Sequence, residues 1–377
     1  MRIVIAPDKF KGSLTAHQVA VFLETGLHSV DPGMVIDRVP VADGGEGTLD
    51  AAVDSGFSRH LVTVTGPTGL PLESAFATRG REAVIEMAVA SGLAALPGGV
   101  LEPLLATSRG TGELIAAALD LGCTQIILGI GGSASTDGGA GLLSALGATM
   151  LDEGGNVLPD GGGALARLAR VDLSGLDPRL VSARIILASD VDNPLLGPHG
   201  AAAVFGPQKG ARPHDVVVLN SALRQYSRVL SAEIGAIAVT ATPAQGAGAA
   251  GGVGYAAMAV LGAGRQPGIE VVREFTQLDN HLNGADLVIT GEGSLDHQSL
   301  GGKAPVGVAQ AAARAGVPTI AVCGQTTLTA EELRIAGFEH TYLLTDYEPD
   351  KARCMVDAGV LLVRVGALIG SQLGVSC

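Results

Sequence analysis

The chain has 377 residues, 47% of them hydrophobic but only 3% aromatic, no Trp, and a formal net charge of −13. Its length predicts more than one core, because single cores stop growing near ~250–300 residues. Acidity with so few aromatics argues against a nucleic-acid partner, and any anionic ligand then needs a local basic patch.

Ile3–Ala6 reads as a buried strand running into Pro7-Asp-Lys-Phe-Lys-Gly-Ser13. Thr15 with Gln18 three residues on predicts a capped helix, stapled by Leu14 and Val19 and reaching about Gly26. Such a charged loop lies at the carboxyl edge of a parallel sheet, where ligands bind. Asp8, Lys9 and Lys11 are therefore candidates, with plain solvation as the alternative. Residues 35–41 predict a second strand, ending in Ala42-Asp-Gly-Gly-Glu-Gly-Thr48. Asp43 and Glu46 share that edge, or Glu46 serves the dipole of the next helix.

After Gly56 the texture changes. Short strands at 61–65, 73–78 and 83–87 predict a meander, followed by a helix (about 111–121) and a strand at 125–128. This breaks the βαβ rhythm and places a boundary near residue 60. The next loop, Gly129–Gly141, holds six glycines, three hydroxyls and Asp137 before a helix at 142–147. Glycines let backbone N–H groups approach a ligand, so Gly131, Gly132, Ser133 and Ser135 outline an anion cradle. A tight turn without a ligand is the alternative.

A hairpin turn follows at Asp152–Asn156, and a strand from Arg184 delivers Asp190, Asp192 and Asn193 to its end. Closely spaced carboxylates there suit Mg²⁺ or a general base, or an Asp/Asn/Pro turn. Gly206-Pro-Gln-Lys-Gly210 precedes a long helix, about Asp215 to Leu230. Gly246–Gly251 matches the dinucleotide fingerprint G-x-G-x-x-G, but Pro243 and its neighbours separate it from any strand. Close packing of small residues at a helix start is the preferred reading. From Glu270 the α/β rhythm resumes, with a strand at 286–290 entering Gly291-Glu-Gly-Ser-Leu-Asp296 and then Gly301-Gly-Lys-Ala-Pro305. Pro305 fits the first helical position, beside Lys303. Strands at 319–323 and 341–345 and a last helix (about 351–369) complete a doubly wound domain. It comprises residues 1–60 and 278–377, with 61–277 inserted.

Cys123, Cys323, Cys354 and Cys377 show no C-x-x-C spacing, which predicts a reducing compartment. The first apolar run is too short for a signal peptide, and the stretch 355–375 is interrupted by Asp357 and Arg364. A soluble cytoplasmic protein without membrane contact is expected.

The lysines are Lys9, Lys11, Lys209, Lys303 and Lys351, and all but the last lie in glycine-bearing loops. Compact ammonium groups beside backbone N–H donors suit a polyphosphate clamp. Carboxylates in neighbouring loops (Asp8, Asp43, Asp137, Asp190, Glu292, Asp296) would repel phosphate unless Mg²⁺ bridges them. Together they point to phosphoryl transfer from a nucleotide. The chain carries neither the P-loop sequence nor the protein-kinase signatures.

Five motifs, Ile5-Ala-Pro-Asp-Lys-Phe-Lys-Gly-Ser13, Ala42–Thr48, Gly131–Gly139, Ser189-Asp-Val-Asp-Asn-Pro194 and Gly291–Asp296, resemble the bacterial class I glycerate kinase family. The resemblance runs through essentially the whole chain in the same order. It implies ATP-dependent phosphorylation of D-glycerate with Mg²⁺, usually to 2-phosphoglycerate. It also implies a flavodoxin-like α/β domain with an inserted α/β domain resembling restriction enzymes. Within that expectation Asp190 is the chosen base and Asp137 the second choice. Lys9, Lys11 and Lys303 contact phosphate or the glycerate carboxylate. Ser133 and Ser135 contact the phosphate, and Gly131, Gly132, Gly291, Gly293 and Ser294 belong to the nucleotide loops. Glu292, Asp296 and Asp8 are the metal candidates. A monomer or a homodimer fits equally. The competing readings are a kinase for another hydroxy acid, such as hydroxypyruvate or tartronate, a two-lobed small-anion binder, and an NAD-dependent reductase using the Gly246 motif.

Overall fold

The computed structural model of the chain describes residues 1–374, so Cys377 lies outside the described residues. The main sheets are built from β1 (Arg2–Pro7), β2 (Val35–Arg38), β3 (Ser58–Thr65), β4 (Pro71–Arg79), β5 (Glu82–Glu86), β6 (Gln125–Gly129), β7 (Arg184–Ala188), β8 (Gly264–Gln266), β9 (Leu287–Gly291), β10 (Thr319–Cys323) and β11 (His340–Leu343). Contacts divide the chain into two compact units. One is Met1–Asp43, Asp50–Gly56 and Pro267–Cys377; the other is Gly44–Leu49 and Phe57–Gln266.

The first unit holds a five-stranded sheet in the order β11-β10-β9-β1-β2, and every pair in it is parallel. Such a sheet needs both faces covered, and the alternation of its strands supplies two apolar sets. Ile3, Ile5, Leu287, Ile289, Ile320 and Val322 pack with Val19, Leu23, Leu27, Leu362, Val365 and Ile369. Ala321 and Cys323 point the other way, onto Val306, Ala309 and Phe338. Thr15 and Gln18 form the expected capping box of the helix Ala16–Val30.

That helix runs through Gly26 instead of ending there. A Cβ on Gly26 would stand 2.1 Å from the Val363 carbonyl oxygen, so the glycine is a close-packing position between helices. The expected last helix is two, Lys351–Val356 and Ala358–Gly374, separated at Asp357. Gly359 just beyond the break has no room for a Cβ against the Phe22 ring. Among the described residues no helix is long and apolar enough to cross a membrane.

The second unit holds a six-stranded sheet in the order β8-β7-β6-β5-β4-β3. The meander is present, with β3–β4 and β4–β5 antiparallel. However, β5 pairs β6 in parallel through the helix Arg109–Asp120, and β7 and β8 continue the parallel ladder. The βαβ rhythm therefore persists here, because an antiparallel hairpin and a helical crossover share one strand, β5. Its core joins Ile85, Ile126, Leu128 and Leu187 to Leu114, Ile115 and Ala118.

The Gly246–Gly251 stretch packs as small residues. A Cβ on Gly251 would lie 2.1 Å from the Ser135 carbonyl oxygen, and the Gly138 N–H donates to the Gly251 carbonyl at 2.9 Å.

Candidate functional site

In the first unit, β1 and β9 are the strands between which the chain order reverses, and parallel sheets take ligands outside the carboxyl ends at such a switch point. Pro7 pairs with Gly291 at those ends, and the Asp8 N–H donates to the Gly291 carbonyl at 2.8 Å. The loops bearing Asp8–Lys11 and Glu292–Asp296 thus leave the sheet side by side. The Val41 N–H donates to the Pro7 carbonyl at 3.0 Å, which brings Asp43 alongside.

Asp8 is buried, its Oδ1 accepting from the Lys9 N–H at 2.6 Å and lying 3.7 Å from Lys9 Nζ. Burial lifts its carboxyl to about 7; Lys9 opposes that, and the charges of Asp43 and Glu292 add to it. Glu292, also buried, accepts from Ser299 Oγ at 2.6 Å. Burial raises it, while Ser299 and the Lys303 charge hold it down. Asp296 is engaged in its own turn, where Oδ1 accepts from the N–H groups of Gln298 (2.8 Å) and Ser299 (3.2 Å). Lys303 is the N-cap residue of the helix Ala304–Arg314, one position earlier than expected, with Pro305 second in the helix. Lys11 is exposed.

The glycines of this edge serve the sheet. A Cβ on Gly291 would lie 1.6 Å from the Val322 carbonyl oxygen, whereas one on Gly293 would meet the Lys11 nitrogen at 3.2 Å. Ser294 pairs in a small parallel ladder with Gln325, whose Nε2 donates to Ser294 Oγ at 3.3 Å. Among the described residues no group of three His, Cys, Asp or Glu side chains could hold a metal by itself. Mg²⁺ ordinarily takes one or two carboxylates and completes its octahedron with phosphate oxygens and water. Asp8 and Glu292, two buried carboxylates held above their ordinary range, fit that chemistry because a cation relieves their burial.

In the second unit, Gly129 pairs with Ala188, so the glycine loop and the Ser189–Asn193 segment leave adjacent parallel strands together. Asp190 is half-buried at the end of β7. Its neighbours are spent on structure: Asp192 Oδ1 accepts from Arg265 Nη2 at 2.7 Å, and Asn193 Nδ2 donates to the His199 carbonyl at 2.8 Å. The segment Gly44–Glu46 lies over both strand ends. Cβ atoms on Gly44, Gly129 and Gly131 would meet Ala188, Gly44 and Gly45 backbone atoms at 2.7, 2.7 and 2.5 Å. Glu46 stands ahead of the helix Thr48–Asp54, outside its first turn, and would meet a Gly132 Cβ at 3.2 Å.

Asp137 is fully buried. Its Oδ2 accepts from the Ser108 N–H and Oγ (both 2.8 Å) and the Gly141 N–H (3.2 Å), and its Oδ1 from the Gly139 N–H (3.1 Å). Four donors and no solvent exposure make it the clamp of the glycine loop and leave it poorly placed to take a proton from a substrate. Among the described residues, Ser135 Oγ and Thr136 Oγ1 are buried and have no hydrogen-bond partner, whereas buried hydroxyls are ordinarily paired.

The structure thus groups Asp8, Lys9, Asp43, Glu292 and Lys303 in one unit, and Gly131, Gly132, Ser133, Ser135 and Asp137 on the loop beside Asp190 in the other. Two residues stand outside the site set chosen from sequence, one of them, Lys209, counted there only among the lysines of a polyphosphate clamp. Glu86, buried at the end of β5, accepts from the N–H groups of Gly47 (3.1 Å) and Leu49 (3.0 Å). Lys209, only 2% exposed, donates from Nζ to Ser133 Oγ at 2.8 Å and to the Ser135 carbonyl at 2.6 Å. Its setting between Gly206 and Gly210 was a visible signal; nothing in the residues around Glu86 was.

Comparison with known proteins gives the family. The model of the glycerate kinase family matches residues 3–373. The chain is 48% identical over 327 residues to the glycerate kinase of Bacillus subtilis (strain 168), covering 86% of this chain and 85% of that protein. It is likewise 48% identical over 331 residues to the glycerate 2-kinase of Escherichia coli (strain K12), covering 87% and 86%. A crystal structure of a provisionally named glycerate kinase 2 from Salmonella typhimurium LT2 superposes with a TM-score of 0.85 at 42% identity, over 100% of this chain and 99% of that one.

Proposed function

The chain belongs to the glycerate kinase family, and from that premise we propose that it transfers the γ-phosphoryl group of ATP to D-glycerate, with Mg²⁺, to give 2-phosphoglycerate. The observation that carries this reading is the pairing of buried Asp8 and Glu292, with Lys9 and Lys303 nearby, at the switch point of a wholly parallel sheet. Carboxylates interleaved with ammonium groups there are the parts a metal–nucleotide site requires. The choice of the 2-oxygen rests on the name of the E. coli relative.

In this mechanism a glycerate hydroxyl oxygen bonds to the γ-phosphorus as the bond to the bridging oxygen breaks, releasing ADP. Asp190 takes the hydroxyl proton. Lys9, Lys11 and Lys303 draw the phosphates and the glycerate carboxylate into register, and Ser133 and Ser135 donate to anionic oxygens. Asp8 and Glu292 would hold Mg²⁺, with Asp296 adding charge from its turn. The ion supplies neutralisation of the phosphate charge. The burial of Asp8 and Glu292 strengthens the contacts those two carboxylates make.

The proposal extends to architecture. Numbered within the first unit, the sheet order is 2-1-3-4-5, the flavodoxin-like order. The interruption of that unit between Gly56 and Pro267 supports an inserted domain. The insert's meander, helix and parallel strand support its likeness to the restriction-enzyme fold. A cytoplasmic location goes with buried, free Cys123, Cys323 and Cys354.

Phosphorus NMR of the reaction with D-glycerate, ATP and Mg²⁺ tests the function. ADP and a single 2-phosphomonoester are expected. ADP formation no faster with D-glycerate than without an acceptor would overturn it.

A further inference from the structure

We propose that Lys209 is a positioning residue whose buried ammonium fixes the Ser133 hydroxyl as a donor to an anionic oxygen, carboxylate or phosphate, of the bound substrates; this rests on the kinase reading above. An ammonium has only hydrogens to give. Ser133 Oγ therefore accepts from Lys209 Nζ at 2.8 Å, and its own single hydrogen must go to another acceptor. Among the described residues none receives it, although Ser133 is only 6% exposed. Ser135 Oγ and Thr136 Oγ1, further along the same loop, are also buried without partners among the described residues. A buried hydroxyl left unpaired keeps the whole penalty of its lost hydration. With the undonated hydrogen of Ser133, these two mark a stretch of four residues whose hydroxyls leave hydrogens for ligand acceptors.

The second bond of Lys209, to the Ser135 carbonyl at 2.6 Å, explains how the loop keeps its shape. One rigid donor pins the backbone at residue 135 and orients the side chain at residue 133. Lys209 comes from the turn Pro207–Lys209, over seventy residues away in sequence, so the brace is tertiary. Among the described residues its charge has no close counter-ion. The carboxylate that acts on it is Asp137, whose oxygens are already taken by Ser108, Gly139 and Gly141. Burial accordingly lowers Lys209 to about 7. An anion accepting from Ser133 compensates that stranded charge through the hydroxyl, which makes the hydrogen bond stronger than a neutral one.

The test uses the full-length protein as wild type, Ser133→Ala, Lys209→Met and the double variant. Methionine keeps most of the length of lysine while removing the ammonium group. Melting-temperature shifts with D-glycerate alone and with ATP alone give affinities that do not depend on turnover; kcat and both KM values are measured in parallel. Each single variant is expected to weaken affinity for one of the two ligands about 10–100-fold, leaving the other ligand unchanged. The double variant is expected to be no worse than Lys209→Met. Loss for D-glycerate assigns the acceptor to the carboxylate, and loss for ATP assigns it to phosphate.

Wild-type affinity for both ligands in Ser133→Ala overturns the proposal. So do additive effects in the double variant, or a Lys209→Met protein that loses kcat with the melting temperature while both KM values hold. Should Lys209→Met not fold, Ser133→Ala alone decides. A wild type that binds the ligands without forming ADP would sink the kinase reading and leave this result readable.

Discussion

Ser299 Oγ donates to Glu292 Oε1 at 2.6 Å, and both side chains are buried at the carboxyl end of β9. The hydroxyl counters the burial that raises Glu292. Removing it in Ser299→Ala raises the carboxyl further, so protons compete better with Mg²⁺ for the group. The half-saturating Mg²⁺ concentration is expected to rise about tenfold, given about 1.5–3 kcal/mol for a hydrogen bond to a charged group. The gap from wild type should widen from pH 8 to pH 6. Mg²⁺ titrations of turnover at the two pH values check this, and parallel curves would show that Glu292 does not meet the ion.

Asp8 predicts an unusual dependence of stability on pH. Its folded value of about 7 lies above the ordinary carboxylate value, so the folded state holds a proton that the unfolded state releases near pH 4. Stability therefore falls as pH rises from about 4 to 7, and the penalty is complete above that window. It amounts to as much as about 4 kcal/mol. Asp8→Asn removes the penalty and keeps an acceptor for the Lys9 N–H. Without Mg²⁺, the variant should melt above wild type at pH 8 and with it at pH 4. A constant difference across that range would contradict the buried carboxyl.

Asp190 and Asp137 separate under the same substitution. Asp190→Asn should lose about 10²–10⁴ in kcat while melting near wild type, as for a general base. Asp137→Asn places an amide among four donors that now face a carboxylate, and should lose about 3 kcal/mol or more of stability. Thermal melts beside steady-state kinetics distinguish the two. A folded, fully active Asp190→Asn protein rules out its role.

The two glycines of Gly291-Glu-Gly293 differ in the same way. Gly291→Ala drives a methyl into the Val322 carbonyl oxygen, 1.6 Å from its Cβ, and is expected to remove several kcal/mol or prevent folding. Gly293→Ala, with its nearest atom at 3.2 Å, should change stability by less than about 1 kcal/mol. Denaturant unfolding of both variants provides the check, and equal losses would contradict the packing role of Gly291.

Local chemistry was legible wherever the cause is local. The Thr15–Gln18 capping box needs only its own four residues. The buried parallel strands announce themselves as β-branched runs, because both of their faces are covered. The endings of the two terminal helices were harder. Gly26 reads as a stop by propensity, yet it is tolerated because it lets the helix Ala358–Gly374 approach to backbone contact. Packing of the same kind runs through the glycine loops: Gly129, Gly131 and Gly291, in loops read as ligand cradles, each have backbone lying against them, and Gly251 packs on the Ser135 carbonyl as the close-packing reading had it.

By itself the sequence determined that the chain alternates strands and helices, that its charged and glycine-rich loops sit at strand ends, and which family it resembles. Those properties depend on neighbours a few residues apart or on motifs carried whole. Only the tertiary structure decided that Asp137 is a clamp, that Lys209 is buried against Ser133, and that Asp8 holds its proton near neutrality. Burial and hydrogen-bond partners are set by segments distant in sequence, and a carboxylate or ammonium changes its chemistry with the dielectric and the donors that those segments bring.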